Sequence, residues 1–100
     1  MRKVAHQAGY FVDPNFGGHG IARFLHMAPF IDHVPNSESQ VMEEGMVFTI
    51  EPILTMFEAT DSDYLTWEDK WTIQLKNNPS AQEEHMVLIK QSGVEILTVL

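Results

Sequence analysis

The clearest alternation of apolar and polar positions runs from Met46 to Glu51. It puts Met46, Phe48 and Ile50 on one face of a strand and Val47, Thr49 and Glu51 on the other. Glu44-Gly45 forms a turn into this strand and Pro52 closes it. Trp71 to Leu75 alternates in the same way and is broken by Asn77-Asn78-Pro79. Glu84 to Ile89 and Val94 to Leu100 read as a strand pair joined through Gln91-Ser92-Gly93, and Tyr10 to Val12 as a short strand ended by Asp13-Pro14-Asn15. Arg2 to Ala8 is helix-compatible and stops at Gly9, as the last turns of a helix whose beginning is missing would. Phe24 to Pro35 reads as irregular extended chain with turns, and the acidic stretch Glu58 to Asp69 as a loop. These elements predict an α+β chain, mostly strands with the end of one helix.

One hundred residues make one small domain or a piece of a larger one. With 44% hydrophobic and 20% charged residues the chain has the composition of a globular protein. A formal charge of −8 argues against nucleic-acid or anionic-membrane partners, which need Lys and Arg against phosphate. The absence of cysteine excludes disulfides and thiolate metal sites, so any metal must be held by His and carboxylate. No apolar run approaches the ~20 residues of a membrane helix. The segment after Met1 is not a signal peptide, which makes a cytoplasmic location the default.

Among the five histidines, His19, His26 and His33 are spaced by seven, but glycines and Pro29 forbid a continuous helix there. In extended chain seven residues span about 23 Å and reverse the face, so at most one or two of the three belong to one site. His19 reads as a structural histidine or as a ligand that its small neighbours Gly18 and Gly20 leave approachable. Glu51, ending an apolar strand, either reaches water at an edge or meets a cation. One of Glu83 and Glu84 faces inward if their strand is packed. His with two carboxylates suits manganese, iron, cobalt or zinc.

The wording of the sequence goes further. Gly18-His19-Gly20-Ile21, followed by Arg23, His26, Pro29 and His33, resembles a segment of the type I methionine aminopeptidases. So do Gly45-Met46-Val47-Phe48-Thr49-Ile50-Glu51-Pro52, Trp67 with Trp71-Thr72, Ser80-Ala81-Gln82-Glu83-Glu84-His85 and Val94-Glu95-Ile96-Leu97-Thr98. The landmarks keep family order across nearly the whole chain. The resemblance implies the C-terminal half of a pita-bread fold, two related α+β halves around a two-metal site. It implies removal of the initiator methionine from nascent polypeptides, with cobalt, manganese, iron or zinc as the two divalent ions. By position, His19 and Glu51 would ligate one ion and Glu84 would bridge both. His26 would touch substrate and stabilise the transition state, Glu51 would assist proton transfer, and Leu25 and Trp71 would lie near the methionine pocket. A complete protein of this kind would meet nascent chains and could associate with the ribosome.

The departures are also informative. Two ligand aspartates and a substrate-contacting histidine of the family belong to its N-terminal half. Asp13, Asp32, Asp61, Asp63 and Asp69 do not stand in the matching motif. Residues 1–100 therefore read as a partial catalytic domain that lacks its N-terminal half and is inactive alone. Any targeting extension, with an organelle as destination, would lie upstream. Leu25 stands where an aromatic is usual, and Glu83 where an aromatic or apolar residue is common. The alternative is a catalytically inactive half-domain that acts as a binding or interaction module.

Overall fold

The computed structural model describes residues 1–99. A short helix, α1 (Arg2–Gln7), opens the chain and buries Ala5 on the sheet side. Ten strands follow: β1 (Phe11–Val12), β2 (Gly18–Gly20), β3 (Met27–Ile31), β4 (Val47–Ile50), β5 (Ile53–Thr55), β6 (Tyr64–Thr66), β7 (Ile73–Leu75), β8 (Ser80–Gln82), β9 (His85–Lys90) and β10 (Gly93–Ile96). They form a five-stranded sheet in the order β10-β9-β4-β2-β3, a three-stranded sheet β1-β5-β8 and the ribbon β6-β7. All pairings are antiparallel, as the alternating patterns imply. No helix among the described residues is long and apolar enough to cross a membrane.

Two connections step from one sheet to the other. Ile50 of β4 pairs with His85 of β9, and Ile53 of β5 pairs with Gln82 of β8. The same register runs through both ladders, so Glu51 and Glu84 oppose each other in the gap between them. Pro52 has no N–H to extend the ladder there. Two carboxylates are thus brought face to face at the corner of two sheets, a repulsive arrangement unless a cation joins them.

The glycines around His19 are needed for close approach. A Cβ at Gly18 would overlap the Thr49 carbonyl, and one at Gly20 the Ala28 carbonyl. The buried apolar residues are Ala5, Val12, Phe48 and Val87, and beside them Asp13, His33, Thr49, Thr55 and Asn78 are buried polar residues. An interior this polar is built to hold groups in place more than to exclude water. The chain is also open. Its accessible surface is 7696 Å², where a compact monomer of this mass exposes about 5,800 Å².

Several elements differ from the sequence expectation. The irregular stretch contains strand β3, with Pro29 inside it at the outer edge of the five-stranded sheet, where no neighbour asks for its missing N–H. The acidic loop holds a one-turn 3-10 helix (Asp61–Asp63), closed by Thr60 and Asp63 as a reciprocal cap, and then β6. Strands β5 and β8 are too short to show a period. The C-terminal strand ends at Ile96, short of the expected Leu100, which lies outside the described residues.

Candidate metal centre

His19 sits in the middle of β2, backed by β4. Its backbone N–H donates to Thr49 Oγ1 at 3.0 Å, and its ring Nδ1 lies 3.1 Å from the Gly20 carbonyl oxygen. With Nδ1–H given to that carbonyl, the ring presents the Nε2 lone pair on its other side. Nε2 is 3.2 Å from Glu51 Oε1. A lone pair and a carboxylate oxygen repel unless a proton or a metal ion lies between them. That separation is also the one two neighbouring ligands take on one ion when each is about 2.1 Å from it.

Glu51 is held by three residues. Thr49 Oγ1 donates to Oε1 at 2.7 Å, Gln82 Nε2 donates to Oε2 at 2.9 Å, and the Glu51 backbone N–H donates to His33 Nε2 at 3.0 Å. Thr49 reaches it because residues two apart on a strand share a face. Glu84 completes the cluster: one ligand atom from each of His19, Glu51 and Glu84 lies within 4.8 Å of the others. Glu84 itself is exposed, so the inward side chain expected of the Glu83-Glu84 pair turns toward the cluster and not into a core. A nitrogen and two carboxylates suit a borderline divalent cation. The donor set fits such an ion.

The three spaced histidines come near this place through sharp bends of the chain, but they do not share one donor cluster, in keeping with the expectation that at most one or two belong to one site. The β2–β3 hairpin folds back with His19 opposite Phe30 and a register shift after it, so the intervening loop returns His26 to His19. The His26 ring packs edge-on to the His19 ring with centroids 4.4 Å apart, and lies 6.2 Å from the Trp71 ring. His33 comes in through its bond to Glu51. Only His19 of the three belongs to the donor cluster. Burial pushes the His33 imidazole below its usual range, against the opposing pull of Glu51, the Phe16 carbonyl and Asp32.

The residues expected at the substrate side are less enclosed. Trp71 is 75% exposed and Leu25 62%. Asp69 stabilises the turn before Trp71 by accepting from the Trp71 and Thr72 amides and the Thr72 hydroxyl, which holds its carboxyl below the usual range. Asp13 bonds the Tyr64 hydroxyl and the Asn15 amide instead of joining the ligands. Sequence reasoning named Thr49, Gln82 and His33 within strands or motifs but gave them no part in the site. The shared strand face with Glu51 could have drawn attention to Thr49.

The chain is similar to known proteins in sequence and in fold. A murine mitochondrial methionine aminopeptidase 1D is 48% identical over all of this chain, which covers 29% of that protein. A chloroplastic methionine aminopeptidase 1B of Arabidopsis thaliana is 43% identical over 94% of the chain and 25% of its own length. Among solved structures, the methionine aminopeptidase of Thermotoga maritima superposes with a TM-score of 0.83 at 30% identity, over 100% of this chain and 40% of that one. That of Rickettsia prowazekii gives 0.82 at 31% identity, over 98% and 40%. The architecture is therefore the expected one, part of a pita-bread fold. The chain spans about a quarter of the length of the curated relatives it matches, 24% and 29% for two of them. The sequence profile of metallopeptidase family M24 covers residues 1–91, and with it the whole of the His19–Glu51–Glu84 cluster: the chain belongs to that family of divalent-metal peptidases.

Proposed function

We propose that this chain is the ligand-bearing C-terminal part of a metal-dependent aminopeptidase that removes the initiator methionine from nascent polypeptides. The observation that carries the reading is the approach of His19, Glu51 and Glu84 to one another, with the His26 ring set against His19. His19 and Glu51 would hold one ion, and Glu84 would lie between that ion and a second. Divalent ions at such a centre polarise the scissile carbonyl and acidify a water. Glu51 assists proton transfer with its carboxylate, which its three partners keep in one orientation. His26 offers a hydrogen bond to the reacting peptide where charge develops. Leu25 and Trp71 supply apolar surface beside it for a methionine side chain. Cobalt, manganese, iron or zinc all suit the donors.

Three donors suffice for one catalytic ion with a water in its fourth position, but not for two ions. We infer that the remaining ligands, two aspartates by resemblance, come from residues beyond these hundred. The roughly 1,900 Å² of surface in excess of a compact monomer supports that reading. It speaks against the alternative of a self-sufficient inactive half-domain that serves as an interaction module. Relatives named for mitochondria and chloroplasts make an organelle as fitting a location as the cytoplasm, and association with the ribosome would suit the substrate.

The test is hydrolysis of a methionyl peptide by the complete protein. Manganese should support activity, a chelator should remove it, and Glu84→Gln should reduce turnover to background. Normal turnover in that variant would take Glu84 out of the site.

A further inference from the structure

His33 is a buried histidine that the proposed chemistry does not use. It is 4% exposed, its Nε2 accepts the Glu51 amide hydrogen at 3.0 Å, and its Nδ1 is buried without a well-formed hydrogen bond, although the Phe16 carbonyl acts on the ring. A neutral imidazole has one donor and one acceptor, so acceptance at Nε2 puts the hydrogen on Nδ1. A buried N–H without a well-formed hydrogen bond costs stability. An apolar side chain of the same size would avoid that cost, unless the acceptor at Nε2 matters.

What it accepts lies at a break in the structure. Glu51 follows β4 and precedes β5, in the gap where the ladder through Ile50 and His85 has ended and the one through Ile53 and Gln82 has not begun. A backbone in such a gap is free to pivot, and here His33 receives its N–H. Thr49 and Gln82 then each hold one carboxylate oxygen. The two side-chain donors set the orientation of the carboxylate. Of the main chain from which it projects, His33 holds the N–H at 3.0 Å, while Gln82 Nε2 reaches the carbonyl only at a long 3.4 Å. Small displacements of a ligand are expensive at a metal, and partners outside the coordination sphere typically carry 10–100-fold in affinity or activity, as an order of magnitude.

We propose that His33 is a positioning residue of the metal centre, which locks the Glu51 backbone so that Oε1 faces His19 Nε2. The proposal rests on the metal reading given above and adds a residue to it. It concerns a neutral acceptor and requires no change of protonation.

The experiment uses the complete protein, stripped of metal, with three variants. His33→Leu removes the acceptor. His33→Gln carries an amide oxygen to about the reach of Nε2. His33→Asn stays polar but stops short of it. Titration calorimetry with manganese alone gives affinity, methionyl-peptide kinetics give kcat and KM, and a metal-free melt gives stability. The expected result is a loss of manganese affinity in His33→Leu of roughly 10–100-fold. A fall in kcat at little-changed KM should accompany it, and His33→Gln should restore both. If His33→Leu does not fold, His33→Asn takes its place with the same expectation. Wild-type manganese affinity in the variant that lacks the acceptor overturns the proposal. So does an equal loss in His33→Gln, which would make His33 a space-filling residue. Wild-type protein that binds no manganese would overturn the metal reading itself, a different outcome from wild-type binding that the variants share.

Discussion

The ligand frame and the aromatic side of the site are built in opposite ways. Around Glu51, Thr49 and His33 are buried at 0% and 4% exposure. Thr49 reaches Glu51 from two residues away on one strand, but the other bonds of the frame join residues 18 to 31 positions apart: His33 to Glu51, Thr49 to His19, and Gln82 from the second sheet. Around Trp71, by contrast, Phe24, Trp67 and Trp71 are 71%, 53% and 75% exposed. The Asp69 bonds there span two or three residues, and the Trp67 indole bonds Gln74 within one ribbon. Long-range bonds exist only once the chain has folded, so the ligand frame is a product of this chain's own topology. The aromatic side is shaped locally and left open. The placing of the three candidate ligands is thus specified within these residues, whereas a closed pocket around Trp71 is not.

The strongest way to break that contrast is to remove the ligand at its centre. Glu51→Gln in the complete protein should lose turnover to background and weaken manganese by more than the ~10–100-fold that outer partners carry. Calorimetry and peptide hydrolysis measure the two effects. The metal-free melt should not fall, because the substitution also relieves the opposition of Glu51 and Glu84 across the sheet step. A large metal-free destabilisation would mean that Glu51 is part of the folding frame and not a guest held by it.

Thr49→Val sharpens the same side. Valine fills the space but can neither accept the His19 N–H nor donate to Glu51 Oε1. Urea unfolding should show about 1–3 kcal/mol lost, the cost of a buried group left without its partner. Manganese affinity should fall with it, while KM for a methionyl peptide should hold. Wild-type affinity in this variant would show that Glu51 is oriented by Gln82 and His33 alone.

The two regions were not equally legible in the sequence. Strands β4, β7 and β9 could be read because each alternates, and His19, Glu51 and Glu84 could be named as candidate ligands because their motif wording is specific. His33 could not be read as a neighbour of Glu51. Its position depends on a hairpin with a register shift, which extended geometry does not foresee. Gln82 likewise becomes a partner only through the register that carries β8 into β9. Strand β3 was hidden by Pro29, since composition alone does not tell an edge strand from a loop. The substrate side could be named by resemblance, yet physical reading had little to hold there because few of its residues pack.

On the open side the effects should be smaller and of another kind. Trp71→Ala should leave manganese affinity and the melting temperature unchanged, since the side chain is largely in water. It should raise KM by about tenfold, the effect of about 1.4 kcal/mol of lost contact. Asp69 supports the same turn. Its carboxyl is held below its ordinary value by the Thr72 hydroxyl and the Trp71 and Thr72 amides. That support is complete above the ordinary carboxylate range and is lost as pH falls through the lowered folded value. Asp69→Asn should therefore reproduce part of the Trp71→Ala effect at neutral pH and show a weaker acid dependence of Trp71 fluorescence. A change in manganese affinity in either variant would erase the distinction between the two regions.

The smallest effect is expected where the two regions meet. Tyr64, at the start of β6, donates its hydroxyl to Asp13 Oδ1 at 2.8 Å and so ties the ribbon to the buried end of β1. Burial pushes the phenol up from 10.0 to about 12, and the hydrogen bond to Asp13 adds to the shift. A raised phenol value means that the neutral form is the one the fold favours. Its contribution to stability is fully present below pH 10.0 and is lost as pH rises toward about 12. Ultraviolet titration of the complete protein should show a late ionisation that Tyr64→Phe abolishes, and melting temperature should fall less steeply over that interval in the variant. Manganese affinity at neutral pH should match wild type, because Asp13 lies outside the donor cluster. If Tyr64 instead ionises at the ordinary value, the ribbon is not docked on Asp13. The aromatic side would then meet the ligand frame through the ring pairs Phe16–Tyr64 and His26–Trp71 instead.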